Sequence, residues 1–352
     1  MKSKIIQALI ICAVIAAGIL AVYLQKPIQP VTTPAIQVEQ PPIPTTFSLP
    51  VDAKKPVQIG ILGESRGKDF HEDPINLDVL GQLLKALKIR EVEAIFFTGN
   101  LVAGVDKKDP LNQPVYNQKL KDSLEQFSVL YNGIFDDKVP FYPALGDREL
   151  LIPNSGQTFI DHFKLEGAIV LGNELLYTVS IGDAMFAVIA TDEIMDGQRS
   201  AEEAYSTKTL EWLEKVLRDG ARKHKYLFVV GYEPAFPSTT TYSKTNMPQR
   251  DAFWKILISN KVLAYFSSKE HFFDRSYRYG VWQIITGGGG APVNRVGGKQ
   301  AFYHSLVLTI PESDDEKSAP GVQVIDDQGN IVEEFSLSTE NQPLYQMRIS
   351  RN

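Results

Sequence analysis

The chain has 352 residues, 43% of them hydrophobic and 22% charged, enough to bury one large core or two modest ones. A formal net charge of −6, with no Lys/Arg run interleaved with aromatic residues, excludes a nucleic-acid surface that works by counterion release. The single cysteine, Cys12, excludes an internal disulfide and a structural zinc site.

Ile5 to Leu24 is a run of twenty residues, apolar except for Gln7, and long enough to cross a bilayer. Lys2 and Lys4 precede it, and Tyr23-Leu24-Gln25 offers no small-x-small cleavage site. The segment 5–24 therefore reads as an uncleaved signal anchor behind a cytoplasmic tail, 1–4, with the remainder of the chain outside the cytoplasm, or in the periplasm of a bacterium. Cys12 reads as a membrane-buried thiol. Residues 25–56 hold eight prolines and show no helical or strand period, so they are expected to form a tether. Stiffened as polyproline II at about 3.1 Å per residue, some 25 residues would reach roughly 80 Å from the membrane.

A globular region is expected over 57–337, followed by a polar tail at 338–352. Strand Val57 to Leu62 is followed by a helix near Leu77 to Leu87, where Leu77, Leu80, Leu84 and Leu87 repeat at helical spacing. Strand Ala94 to Thr98 has the continuous apolar run of a strand covered on both faces. A helix near Leu120 to Phe135 comes next, then a hairpin of Leu175 to Ile181 with Ala184 to Ala190 turning at Gly182-Asp183. The pattern continues with helix Thr207 to Leu217, strand Tyr226 to Val230, helix Gln249 to Ser259, and strands Val262 to Phe266 and Val281 to Thr286. It ends with strand Ser305 to Ile310 and the span Val322 to Ser336, broken by a turn at Asp327-Gln328-Gly329. Mixed α/β followed by β predicts two packed sheets with helices outside.

In such folds chemistry sits in loops past the carboxyl ends of strands. Five of these carry a pattern: Gly63-Glu64-Ser65-Arg66, Thr98-Gly99-Asn100, Gly146-Asp147-Arg148-Glu149, Gly231-Tyr232-Glu233-Pro234, and Lys269-Glu270-His271. In order and spacing they resemble the five metal-binding blocks of the calcineurin-like metallophosphoesterases, in particular the purple-acid-phosphatase-like branch. Thr209-Leu210-Glu211-Trp212-Leu213, Phe253-Trp254 and Thr286-Gly287-Gly288-Gly289-Gly290-Ala291-Pro292 extend the resemblance. It implies a four-layer αββα sandwich with two mixed β-sheets, preceded here by the transmembrane helix.

Carried over residue by residue, the resemblance puts the first-block aspartate on Glu64, its histidine on Arg66 and the bridging aspartate on Asn100. The third-block asparagine falls on Asp147 and the catalytic histidine on Arg148; the fourth-block histidine is Tyr232, and the last pair is Lys269 and His271. Only His271 keeps the family residue. Ala103 stands where the purple enzymes have a tyrosine, so their colour is not expected.

Two-metal hydrolysis needs anionic or neutral ligands around ions about 3.5–4 Å apart. Arg66 and Lys269 bring positive charge and no lone pair, and Asn100 removes the bridging anion. Arg66, Arg148 and Lys269 are expected to pair with Glu64, Asp147 and Glu149 in a network filling the old metal pocket. The expectation is accordingly a non-catalytic domain that binds or scaffolds a protein partner in the cell envelope, attached to the membrane through residues 5–24, with no metal cofactor. Two alternatives stay open: one divalent ion (Mn, Fe or Zn) on Glu64, Asp147 and His271 supporting residual phosphoesterase activity, or an anion site at Arg66, Arg148 and Lys269. Gly287 to Gly290 reads as a tight turn; His71, His162 and His224 read as solvated, His304 as a core or supporting residue, and Trp212, Trp254 and Trp282 as core. Tyr232 is expected to fill its position with one hydrogen bond.

Overall fold

A computed structural model of the chain describes residues 46–52, 55–104, 113–171, 174–191, 204–238, 247–293, 301–312 and 318–338. The expected anchor at 5–24, the tail at 1–4, most of the tether and the C-terminal tail lie outside the described residues. Among the described residues no helix is long and apolar enough to cross a membrane.

Two mixed sheets form the centre. The six-stranded sheet runs β16-β15-β14-β2-β5-β6, in which β2 (Val57–Leu62), β5 (Ala94–Phe97) and β6 (Phe141–Pro143) are parallel. Antiparallel β14 (His304–Ile310), β15 (Gly321–Asp326) and β16 (Ile331–Ser336) complete it. The other sheet runs β1-β8-β9-β10-β11-β13-β12, with β7 (Ile169–Leu171) also paired to β8 (Glu174–Ile181). Its centre is parallel: β9 (Ala184–Val188), β10 (Tyr226–Val230), β11 (Ala264–Ser267) and β13 (Val281–Thr286). A small ribbon, β3 (Arg66–Asp69) with β4 (Asp73–Ile75), follows the first loop.

Strand periodicity explains the layers. On β9, Phe186 and Val188 face the core shared with the six-stranded sheet, and Met185 and Ala187 face a second cluster with Trp212, Leu213 and Trp254. Phe96 of β5 stacks on Phe186 of β9 at 4.2 Å, across the two sheets. Helix α1 (Leu77–Ile89) packs on β14 and β15 and on α2 (Gln113–Phe135), which meets α3 (Ser155–Phe163). On the other side α4 (Ala204–Gly220) packs on β9 and on α5 (Met247–Ser259). The order of layers is helix, sheet, sheet, helix, as the resemblance implied.

Strand β1, strand β12 and helix α3 are among the elements that depart from expectation. Strand β1 (Thr46–Leu49) lies inside the span read as tether: Phe47 and Leu49 pack on the core while Thr46 and Ser48 face away, in parallel pairing with β8. The surrounding prolines hide a four-residue strand whose alternation is too short to stand out. Strand β12 (Phe273–Arg278) begins within the fifth loop, antiparallel to β13. Its charges conceal the alternation, because Arg275, lying between Phe273 and Tyr277, spreads over Phe335 at 4.4 Å and Trp282 at 5.7 Å. Helix α3 spans nine residues between the left-handed Asn154 and Lys164.

Candidate functional site

The carboxyl ends of β2, β5, β6, β10 and β11 converge, and their loops are stitched by the backbone before any side chain acts. Glu64 N donates to Gly99 O at 3.0 Å, and Ser65 N and Arg66 N both reach Asn100 O at 3.1 Å. Gly289 N donates to Gly63 O at 2.8 Å and Ala291 N to Glu64 O at 2.7 Å, so the glycine run is a closely packed strip against the first loop rather than a free turn. A Cβ on Gly288 would lie 2.1 Å from His304 Nδ1, and one on Gly99 2.8 Å from the Tyr232 ring.

Glu64 is the hub of the side chains and is fully buried. Its Oε1 accepts from Tyr232 Oη at 2.8 Å and Asn100 Nδ2 at 2.9 Å. Its Oε2 takes Arg66 Nε at 3.1 Å and lies 3.4 Å from His271 Nε2. Asp147 Oδ1 shares the same neutral donors, Tyr232 Oη and Asn100 Nδ2, each at 3.0 Å. Asn100 turns its amide NH₂ inward, also reaching Tyr232 Oη at 2.6 Å, while its Oδ1 accepts from Arg148 N at 3.0 Å. Tyr232 thus makes three contacts instead of the expected one. Burial, then the charges of Asp147 and Glu64, push its phenol well above the ordinary value, so it stays a donor.

His271 Nδ1 donates to Pro292 O at 2.9 Å. Its Nε2 then faces Arg66 Nη2 at 3.3 Å as well as Glu64: a neutral ring accepts from Arg66, and a protonated one donates to Glu64. Burial lowers the affinity of this ring for a proton, but the Glu64 charge outweighs it and His271 titrates above the usual histidine value. Arg66 is likewise held charged by Glu64 against the cost of burial.

The expected network forms only in part. Arg66 pairs with Glu64, but Lys269 Nζ pairs with Glu233 Oε2 at 2.7 Å, with both side chains largely buried. Sequence reading assigned Glu233 no role, although it adjoins Tyr232 and is the acid nearest Lys269 in the fourth block. Thr191 Oγ1 holds that loop by accepting from Tyr232 N at 3.0 Å and Glu233 N at 2.8 Å. Among the described residues Glu149 pairs with no cation: its carboxylate accepts from the backbone N–H of Gly146 at 2.7 Å, Asn100 at 3.0 Å and Val102 at 3.1 Å. Burial, opposed by those three bonds, pushes Glu149 up to about 7. Among the described residues the half-buried Arg148 guanidinium makes no ion pair. His162 and His224 are not simply solvated: each is half-buried, against Ser128 Oγ at 2.8 Å and Ser180 Oγ at 3.1 Å. His304 is fully buried, and Trp212, Trp254 and Trp282 lie in the core.

No protein-family model and no curated protein matches the sequence. Solved structures do match. A purple acid phosphatase from yellow lupin (Lupinus luteus) superposes with a TM-score of 0.57 at 17% identity, over 81% of this chain and 54% of that one. A dimetal phosphatase from Danio rerio gives 0.52 at 13%, over 80% and 98%. GAP50, described as the anchor in the inner membrane complex of Plasmodium, gives 0.52 at 18%, over 80% and 89%. The chain has the calcineurin-like metallophosphoesterase fold. The loops carrying Glu64, Asn100, Asp147, Tyr232 and His271 are those to which the sequence resemblance assigns two metal ions.

The donor set does not fit such a centre. Asn100, which the resemblance puts at the bridging position, presents N–H groups and no lone pair to the interior. Both oxygens of Glu64 already have two partners, and one of these is the Arg66 guanidinium. Among the described residues no group of three or more His, Cys, Asp or Glu side chains has the arrangement of a metal site.

Proposed function

We propose that this phosphoesterase-fold domain does not hydrolyse phosphate esters and works by binding a protein partner, held to a membrane by residues 5–24 with the domain outside the cytoplasm. The observation that carries the first half is the occupation of Glu64, whose four partners are side chains of the protein itself. A hydroxide nucleophile generated by two ions needs that carboxylate and an anion in place of Asn100. The apolar run Ile5 to Leu24 supports the anchor. The description of GAP50 as an anchor in a membrane complex is consistent with a scaffolding use of the same fold. The test is an assay of the purified full chain with a generic phosphomonoester and a phosphodiester, across added Mn²⁺, Fe²⁺ and Zn²⁺. No turnover above the metal-only background is expected; turnover abolished by Asp147→Ala and His271→Ala would overturn the reading.

One observation favours a second reading, an anion sensor. Arg148 reaches Asn100 Oδ1 at the site through its backbone N–H, and its guanidinium makes no ion pair among the described residues. Inorganic phosphate should then raise the thermal midpoint of the wild type but not of Arg148→Ala, whereas equal behaviour of the two chains removes this reading.

A further inference from the structure

Glu64 and Asn100 hold left-handed backbone conformations, with φ of 64° and 56°. Such a conformation costs an L residue free energy and persists only where the surroundings impose it. These two residues lie in the loops that follow neighbouring strands of the six-stranded sheet, and the Glu64 carboxylate is fully buried. A buried carboxylate needs a cation or a full set of hydrogen-bond donors close by, since one left uncompensated is strongly destabilising.

We infer that Arg66 is the built-in cation of this site, fastening Glu64 of the six-stranded sheet to His271 of the eight-stranded sheet by a charge carried on the chain itself. The inference rests on the metal-free reading above and deepens it by naming the group that takes over the fastening. Arg66 spans the two loops with separate atoms, Nε 3.1 Å from Glu64 Oε2 and Nη2 3.3 Å from His271 Nε2 when that ring is neutral; a protonated His271 reaches Glu64 Oε2 directly at 3.4 Å. Its side chain is 21% exposed, so the pair is little screened by solvent. The other cations of the five loops are otherwise placed: Lys269 lies against Glu233, and Arg148 reaches the site through its backbone N–H. The planar fork of arginine suits this double contact, whereas an ammonium is a single point charge.

The experiment is thermal unfolding of the full chain as wild type, Arg66→Ala and Arg66→Lys, each with EDTA and with added Zn²⁺ or Mn²⁺. The wild-type midpoint is expected to be the same in all conditions. Arg66→Ala should melt about 5–10 °C lower. Added ions should recover part of that loss, because Glu64 Oε2 and His271 Nε2 then have free lone pairs. Arg66→Lys should fall between the two. A wild-type midpoint lowered by EDTA, or an Arg66→Ala midpoint equal to wild type, would overturn the inference. If Arg66→Ala does not fold, Arg66→Lys decides: a lowered midpoint supports the two-point contact, and an unchanged one refutes it. An inactive chain with an unshifted Arg66→Ala midpoint would refute the role of Arg66 and leave the non-catalytic reading standing. An active chain would refute that reading however Arg66→Ala behaves.

Discussion

The hydroxyl of Tyr232 lies 2.8 Å from Glu64 Oε1, joining the loop after β10 in one sheet to the loop after β2 in the other. The same oxygen is 3.0 Å from Asp147 and 2.6 Å from Asn100, so one neutral group links three loops of the six-stranded sheet. Tyr232→Phe keeps the ring packing and removes only this oxygen. The variant should lose about 1–3 kcal/mol, the cost of leaving buried polar partners unsatisfied. Urea unfolding checks it, and a loss under about 0.5 kcal/mol would mean that the hydroxyl contributes only shape.

The pair Lys269–Glu233, at 2.7 Å, fixes the fourth loop to the fifth. Lys269→Met alone leaves a largely buried carboxylate without this cation and should cost about 3–5 kcal/mol. The double variant Lys269→Met, Glu233→Gln should recover part of that loss. A double-mutant cycle in urea measures the coupling, and strict additivity of the two single changes would show that the pair contributes nothing as a pair.

Two buried groups pull stability in opposite directions with pH. His304 donates from Nδ1 to Phe302 O at 3.0 Å while its buried Nε2 has no hydrogen-bond partner among the described residues, and burial pushes it down to about 4 from 6.5. Its contribution is complete above the unfolded value and is lost as pH falls from 6.5 toward 4. Glu149 is pushed up to about 7 from 4.5, so its contribution is complete below 4.5 and is lost as pH rises through 7. Between pH 4.5 and 6.5 the two offset each other. Relative to wild type, His304→Asn should gain stability as pH falls through this window, and Glu149→Gln should lose it. Glu149→Gln should carry a further pH-independent loss of about 1–3 kcal/mol, because an amide cannot accept at both ends. Urea unfolding of the three chains at several pH values checks the signs, and parallel curves would contradict both assignments.

The fold was legible because its central strands are buried on both faces and read as continuous apolar runs; Val57–Leu62, Tyr226–Val230 and Val281–Thr286 fall where periodicity places them. The edges were not. Strand β12 carries an exposed Arg275 between Phe273 and Tyr277, which breaks its apolar alternation, and β1 is too short to show a period. At the site, the loops and their order were readable but the pairing was not. Charge counting matched three cations to three acids, whereas geometry gave Glu149 to backbone amides and Lys269 to Glu233. Backbone donors are invisible to a count of side-chain charges, and a left-handed turn at Glu64 leaves no mark in residue identity.

On the reading proposed above, side chains of the protein occupy the place of the metal ions. The metal content of the full-length chain, purified without chelators and measured by mass spectrometry, tests it most directly. Iron, manganese and zinc together should fall well below one equivalent per chain, and adding them should not change this after desalting. Two tightly held equivalents of any of these metals would contradict the account.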